Sequence, residues 1–199
     1  MNLPFILPVG FDRGYQIKQS LWFSAQSATY AVYPTGSPSD ASITKKTFSF
    51  WFKKTKREQS TTFLFTAYAN DNNRGLIYFS SDRLCLYSNH SSYGGINCQK
   101  VTTRKFKDTT NWYHCFIVTD TSLATAEDRV QLWINGERIT SFSTNTNPGQ
   151  NQMVCWNVLR ISGWWSCWGR YYSPTYQFDG QLAEIHVLDN TAALVTDFG

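Results

Sequence analysis

The chain is short of charge. Only 16% of its 199 residues are Asp, Glu, Lys or Arg, and the formal net charge is +4. So small and scattered a surplus does not make the basic footprint of a nucleic-acid binder. The densest basic run, Lys53-Lys54-Thr55-Lys56-Arg57, reads as the solvated end of a hairpin, with Lys53, Lys54 and Lys56 placed to protect a sheet edge. No apolar run approaches the roughly 20 residues of a membrane-spanning helix, so no insertion into a bilayer is expected. The opening MNLPFILPVGF is apolar but broken by Pro4 and Pro8. It lacks a positive leading region and a small-residue cleavage site, and is not expected to be a signal peptide.

Cys-x-x-Cys is missing, which excludes a zinc ribbon and a dithiol redox motif. The five cysteines, Cys85, Cys98, Cys115, Cys155 and Cys167, are odd in number, so at least one stays free or pairs between chains. They read as reduced, buried small hydrophobes, which fits synthesis in a cytoplasm. A Cys155–Cys167 link stays open. Gly-x-Ser-x-Gly, the phosphate-binding loop and internal repeats are also missing. Histidine is scarce, with His90, His114 and His186 alone. His114 adjoins Cys115, but neighbouring strand residues point to opposite faces and cannot form a nucleophile–base pair.

What the chain has is aromatic side chains, 17% of the total. With β-branched residues and abundant Ser, Thr and Asn, they favour strands and turns. Alternation with period two recurs along the chain. It places Leu21 with Phe23, then Phe48, Phe50 and Phe52 on one face of 47–53, and Phe63 with Phe65 against Leu64 and Thr66. Residues 75–80 and 83–88 form a hairpin around Ser-Ser-Asp. His114, Phe116 and Val118 alternate with Tyr113, Cys115 and Ile117. Val130, Leu132 and Ile134 share a side, and 158–162 and 180–188 supply two further strands. Asn135-Gly136 closes a tight hairpin. Residues 122–129 alone look helical, a single turn capped by Thr121 or Ser122. The expectation is one all-β domain, a two-sheet antiparallel sandwich.

The order of these elements is specific. TFSFWFKKTK, LFTA, IYF and RLCLY precede TNWYHCFIVTDTSLATAEDRVQLWINGERITSF, and FDGQLAEIHVL comes near the end. This resembles the concanavalin A-like, laminin-G-like jelly roll, from about Gly14 to Gly199, with residues 1–13 as an N-terminal arm. Within that family it looks most like virion proteins of tailed bacteriophages, through GYQIKQSLWFSAQSATYAVYPTGSPSDASITKKTFSFWFKKTK, DTSLATAEDRVQLWINGERITSFST and ALVTDFG. The resemblance implies a capsid- or tail-associated structural protein located on the virion. Its expected partners are other virion proteins, further copies of itself and host-surface polysaccharide. Many such proteins continue past Asp-Phe-Gly, which implies one module of a longer protein or a shortened form. Trp112 and Tyr113 are expected between the sheets, Gly180 in a tight turn after Phe178, and Ala183, Ile185 and Val187 on the core face of the closing strand.

Some members of the family hydrolyse glycosides with two carboxylates on one strand face. The nearest candidates, Glu184 and Asp189, have odd spacing and cannot share a face of a regular strand. No enzyme is expected. Calcium-binding relatives draw attention to Asn70-Asp71-Asn72-Asn73, where Asp71 and Asn73 are the candidate ligands. Calcium wants six to eight oxygens, and the same residues make a good turn. No cofactor is expected.

The remaining signal is Ser-Gly-Trp-Trp-Ser-Cys-Trp-Gly-Arg-Tyr-Tyr-Ser-Pro-Thr-Tyr at 162–176. Its alternation is poor, so some of Trp164, Trp165, Trp168, Tyr171 and Tyr172 should lie at the surface. Sugars stack on such rings, and Arg170 supplies directed hydrogen bonds. The segment 88–97 has similar make-up, with Asn89, His90, Tyr93 and Asn97. The same rings also suit a subunit contact. Two readings stand, a glycan-binding module and a purely structural subunit. Joint truncation of Trp164 and Trp168 is expected to separate them.

Overall fold

The computed structural model describes residues 17–24, 29–32, 44–57, 60–158, 163–173 and 176–198. The expected arm at 1–13, and all but Val158 of the expected strand at 158–162, lie outside the described residues. The described residues form β1 (Leu21–Phe23), β2 (Ala31–Val32), β3 (Lys45–Lys54), β4 (Thr61–Asn70), β5 (Asn73–Ser80), β6 (Arg83–His90) and β7 (Gly95–Lys105). After these come β8 (Tyr113–Asp120), β9 (Val130–Ile134), β10 (Glu137–Arg138), β11 (Phe142–Thr146), β12 (Trp165–Trp168) and β13 (Gly180–Asp189).

Two sheets result. One has six strands in the order β1-β13-β3-β8-β9-β10, and the other has seven in the order β11-β7-β6-β5-β4-β12-β2. All strand pairings are antiparallel, as the sandwich reading requires.

Alternation explains the core. Phe48, Phe50 and Phe52 on β3 are all buried and meet rings of the other sheet. Phe48 lies 5.2 Å from Phe65, Phe50 lies 5.1 Å from Trp168, and Phe52 lies 5.3 Å from Phe79, centroid to centroid. Each such tilted or edge-on pair adds about 0.5–1.5 kcal/mol beyond the area it buries. Tyr113, Cys115, Ile117, Val130, Leu132 and Ile134 complete the layer.

The hairpin turns are as expected. Ser81 and Asp82 both take positive φ, 48° and 65°, as do Asn135 and Gly136, 51° and 78°. Residues 126–128 form a single 3₁₀ turn. It starts from Thr125 without a side-chain cap, so Thr121 and Ser122 are not its caps.

Several expectations fail for identifiable reasons. A bulge between Phe63 and Phe65 turns Leu64 and Phe65 both inward, and leaves Phe63 stacked on Tyr78 of the outer face. A second bulge between Ala183 and His186 has Glu184 at φ 49°. It puts Leu182 in the core opposite Phe52 and sets Ala183 opposite Trp51, so Ala183 does not share a face with Ile185 and Val187. Trp112 is only half-buried, while Tyr113 does enter the core. Gly180 serves close approach, since a Cβ there would collide with the Lys53 carbonyl.

The basic run is not a solvated edge. β3 lies inside its sheet between β13 and β8. Lys54 is fully buried, ion-paired with Asp82, and donates to the Phe106 carbonyl at 2.9 Å. Lys56 and Arg57 are the exposed members of the run.

Candidate functional site

β12 organises the site. Among the described residues it is a strand inside the seven-stranded sheet, between β4 and β2, not a surface loop. Its register places Ser166 opposite Ala67 and Trp168 opposite Phe65, facing the core. Trp165 opposite Tyr68 and Cys167 opposite Thr66 then face outward. The Trp-rich segment therefore divides between two environments. Trp168, at 3% exposure, is core, and Trp164 is half-buried against the core. Trp165 belongs to the outer face. Joint truncation of Trp164 and Trp168 would thus excavate the interior, not probe a surface.

The chain leaves β12 through Gly169, whose φ is 90° and whose missing Cβ leaves room for the Phe23 ring. Its N–H donates to the Leu64 carbonyl at 2.9 Å, and its carbonyl accepts from the Phe178 N–H at 2.8 Å. The Arg170 carbonyl accepts from the Thr66 hydroxyl at 2.9 Å. These bonds fold residues 170–172 back over β4, and the aromatic segment becomes a layer on the outside of the sheet.

Arg170 carries its guanidinium 3.4 Å from the centroid of Tyr30 and 5.1 Å from that of Trp165. Tyr172 stacks on Tyr68 with centroids 4.0 Å apart and planes 8° from parallel. Tyr171 sits 4.8 Å from Phe63, and its hydroxyl accepts from Arg74 at 2.9 Å. Arg74 stands opposite Tyr68 and Asn89, pairs with Asp71 at 2.9 Å and lies over Tyr87. The result is a band of rings and two guanidinium groups running across β2, β12, β4, β5 and β6. Tyr30 and Tyr172 remain 40% and 47% exposed, enough for a ligand to reach them.

The Tyr68 and Tyr171 phenols stay protonated at neutral pH. Burial pushes Tyr68 up to about 12, aided by the Tyr172 hydroxyl and the Asp71 charge. Burial also raises Tyr171, against the pull of Arg74. Burial draws the Arg74 guanidinium down, but the Tyr87 and Tyr171 hydroxyls outweigh it and leave it raised. The face therefore offers hydroxyl donors and guanidinium donors beside flat apolar rings. Three of its buried polar atoms, Arg74 Nε, Asn89 Oδ1 and Arg170 Nε, have no hydrogen-bond partner among the described residues.

Asn89 joins the band through Arg74. His90 and Tyr93 sit one step further along, with rings 4.8 Å apart. His90 Nδ1 accepts from the Ser92 N–H at 3.2 Å, and burial lowers its pKa. The Tyr93 hydroxyl accepts from the Met153 N–H at 3.2 Å, and Asn97 donates to the Met153 carbonyl at 2.6 Å. His90, Tyr93 and Asn97 thus anchor a loop end. Sequence reasoning missed Tyr30, Tyr68, Arg74 and Tyr87. The available signal was an aromatic or Arg at outward-facing positions on adjacent strands.

The oxygens of the turn at 70–73 are engaged in folding it. Asp71 accepts from Arg74, and Asn73 Oδ1 accepts from the N–H and hydroxyl of Ser91 at 3.2 and 3.1 Å. Among the described residues no group of three or more His, Cys, Asp or Glu is arranged to hold a metal ion. Glu184 and Asp189 lie on β13 of the other sheet, and Asp189 is ion-paired with Lys46. All five cysteines are buried free thiols, so Cys155 and Cys167 are not linked.

Two antiparallel sheets packed as a jelly-roll sandwich define the fold class. The chain belongs to the concanavalin A-like lectin/glucanases superfamily, whose model matches residues 26–193. Among solved structures it resembles the CBM40 of the Ruminococcus gnavus IT-sialidase bound to α2,3-sialyllactose, with TM-score 0.59 and 12% identity, covering 92% of this chain and 95% of that one. It also resembles a protein from Bacteroides ovatus, with TM-score 0.60 and 15% identity, covering 90% of this chain and 45% of that one. The NanB sialidase from Streptococcus pneumoniae is a third, with TM-score 0.58, 16% identity, 89% of this chain and 26% of that one. The chain thus spans about a quarter of the sialidase and nearly all of the binding module. A search of curated proteins gave no match.

Proposed function

We propose that this protein is a non-catalytic glycan-binding module, and that it binds through the outer face of its seven-stranded sheet. The observation that carries this is the outward band of Tyr30, Trp165, Tyr68 and Tyr172 with Arg170 and Arg74 set among the rings. Rings supply a flat apolar surface for the C–H face of a sugar, and the guanidinium and phenol groups supply direction. Likeness in fold to a sialyllactose-bound module supports the reading.

The test is a glycan array probed with the wild-type protein and with Trp165→Ala and Tyr172→Ala variants. The expected result is a signal that both variants lose while still folding and melting cooperatively, a few degrees below wild type at most. An undiminished signal in both would move the site elsewhere.

A second reading has its own observation. Among the described residues β1 and β2 are the edges of the two sheets on the same side of the sandwich, where Phe23 of β1 packs against Gly169. That edge exposes Leu21, Trp22 and Val32. It suits assembly with a second copy or with another structural protein, and sedimentation of Trp22→Ala against wild type tests it. Placement on a tailed-phage virion is supported by the sequence resemblance alone.

A further inference from the structure

Arg170 lacks the acidic partner that several other cations of the fold have. Arg74 has Asp71, Lys46 has Asp189, Lys54 has Asp82 and Arg138 has Asp128. Arg170 has no carboxylate partner among the described residues, and its guanidinium lies against two ring faces and beside the Cys167 thiol. Its Nε is buried and has no acceptor among the described residues. Tyr30 and Trp165 fix the plane of the guanidinium, and the backbone bond from Thr66 fixes its base. A guanidinium held flat presents a fixed fork of N–H donors, which matches the paired oxygens of an oxyanion.

Neutral sugars do not need such a group. Hydroxyls are recognised well enough by amides and phenols, and a fixed full charge without a counter-ion is wasted on them. We infer that the ligand is an acidic glycan, and that Arg170 is the specificity-determining residue that receives its carboxylate or sulfate. The inference rests on the reading of this face as a glycan site. The anionic substituent lies against Arg170 while its ring stacks beside Tyr30 or Trp165. Asp71 sets the limit of the acidic subsite, because it neutralises Arg74 at the far end of the band.

The test uses the whole chain and two matched pairs of polymers. Polygalacturonate is compared with its carboxyl-reduced, neutral form, and dextran sulfate with dextran, by isothermal titration at two salt concentrations. Wild type, Arg170→Gln, Arg170→Lys and the control Lys53→Gln are measured. Lys53→Gln removes the same charge from the opposite sheet.

The wild type is expected to prefer the acidic member of one pair by about tenfold or more, the scale of a charged hydrogen bond. Arg170→Gln should erase that preference and keep the affinity for the neutral form. Arg170→Lys should recover part of it, and Lys53→Gln should leave it intact. The pair that shows the preference names the anion. Equal binding within both pairs, with neutral polymers still held by the rings, overturns the acidic-ligand inference and spares the glycan-binding reading. A preference that Lys53→Gln reduces as much as Arg170→Gln also overturns it, since the effect would then be general charge. Failure to bind any glycan removes both.

Discussion

Two tryptophans three residues apart should behave as different kinds of residue. Trp168 points between the sheets, with its ring 5.1 Å from Phe50, 5.1 Å from Phe65 and 6.2 Å from Phe48. Replacing it by Ala removes a large buried ring and leaves a cavity bounded by β3 and β4, which are held by long ladders and have little freedom to close. Such truncations cost about 3–5 kcal/mol. For a chain of this size each kcal/mol lowers the melting temperature by about 2–4 °C, so a fall of roughly 6–20 °C is expected. Trp165 leans outward against Tyr30 and Arg170. Its truncation forfeits one ring pair and one cation–ring contact, about 1–2 kcal/mol together.

The opposite order holds for binding. Loss of Trp165 should weaken the glycan complex by roughly tenfold or more, the scale of a recognition hot spot. Trp168→Phe keeps most of the buried ring and removes an indole N–H that has no acceptor among the described residues, so it should be much milder than Trp168→Ala. Calorimetric melting and urea titration, with titration of ligand into each folded variant, give the comparison. Equal destabilisation by Trp165→Ala and Trp168→Ala would refute the division of this segment into core and recognition faces.

Three further expectations concern the scaffold. Gly169→Ala forces a Cβ into the Phe23 ring at a φ of 90° and should lower the melting temperature by several degrees, measured by differential scanning. Lys54→Met leaves Asp82 buried without its cation and should cost about 3–5 kcal/mol in urea titration, with the double change Lys54→Met, Asp82→Asn, which removes the stranded charge and tolerates the positive φ of 65°, recovering part of it. His114 is held below its ordinary pKa first by burial and then by His186, while Ser49 Oγ lies 2.8 Å from its Nε2. The unfolded chain therefore takes up a proton that the folded one resists. Stability contributed by neutral His114 is present above roughly pH 6.5 and declines as the pH falls below it. The urea midpoint should drop between pH 7 and pH 5, and His114→Gln should flatten part of that slope.

Much of the architecture is legible in the sequence because one side chain in two must be apolar where a strand covers a core. Phe48, Phe50 and Phe52 announce β3, and Val130, Leu132 and Ile134 announce β9, with Asn135-Gly136 fixing the hairpin that follows. The rule breaks where an extra residue is inserted. The bulges at Phe63–Phe65 and Ala183–His186 carry no composition signal, and each shifts the side chains beyond it by one face. β12 was hidden for another reason. Both of its faces are covered, one by the opposite sheet and the other by Arg170 and the tyrosines, so Trp165 and Trp168 look alike in composition. Lys54 misleads because a charge sits where alternation asks for an apolar residue, and only the approach of Asp82 from β5–β6 explains it. Arg170 and Tyr172 were visible as candidates. Their neighbours Tyr30, Tyr68 and Arg74 come from distant parts of the chain and meet only through strand order.

The five thiols have a practical sequel. Each is buried, and burial pushes Cys85 up to about 11, Cys98, Cys155 and Cys167 up to about 12, and Cys115 higher still. Thiolate is the species that alkylating reagents attack, so the native sulfurs are poor targets while the sandwich is closed. A single cysteine introduced at an exposed position would then take a maleimide dye selectively in the otherwise unaltered chain. The slow labelling of the native five would, in turn, clock how often the two sheets come apart.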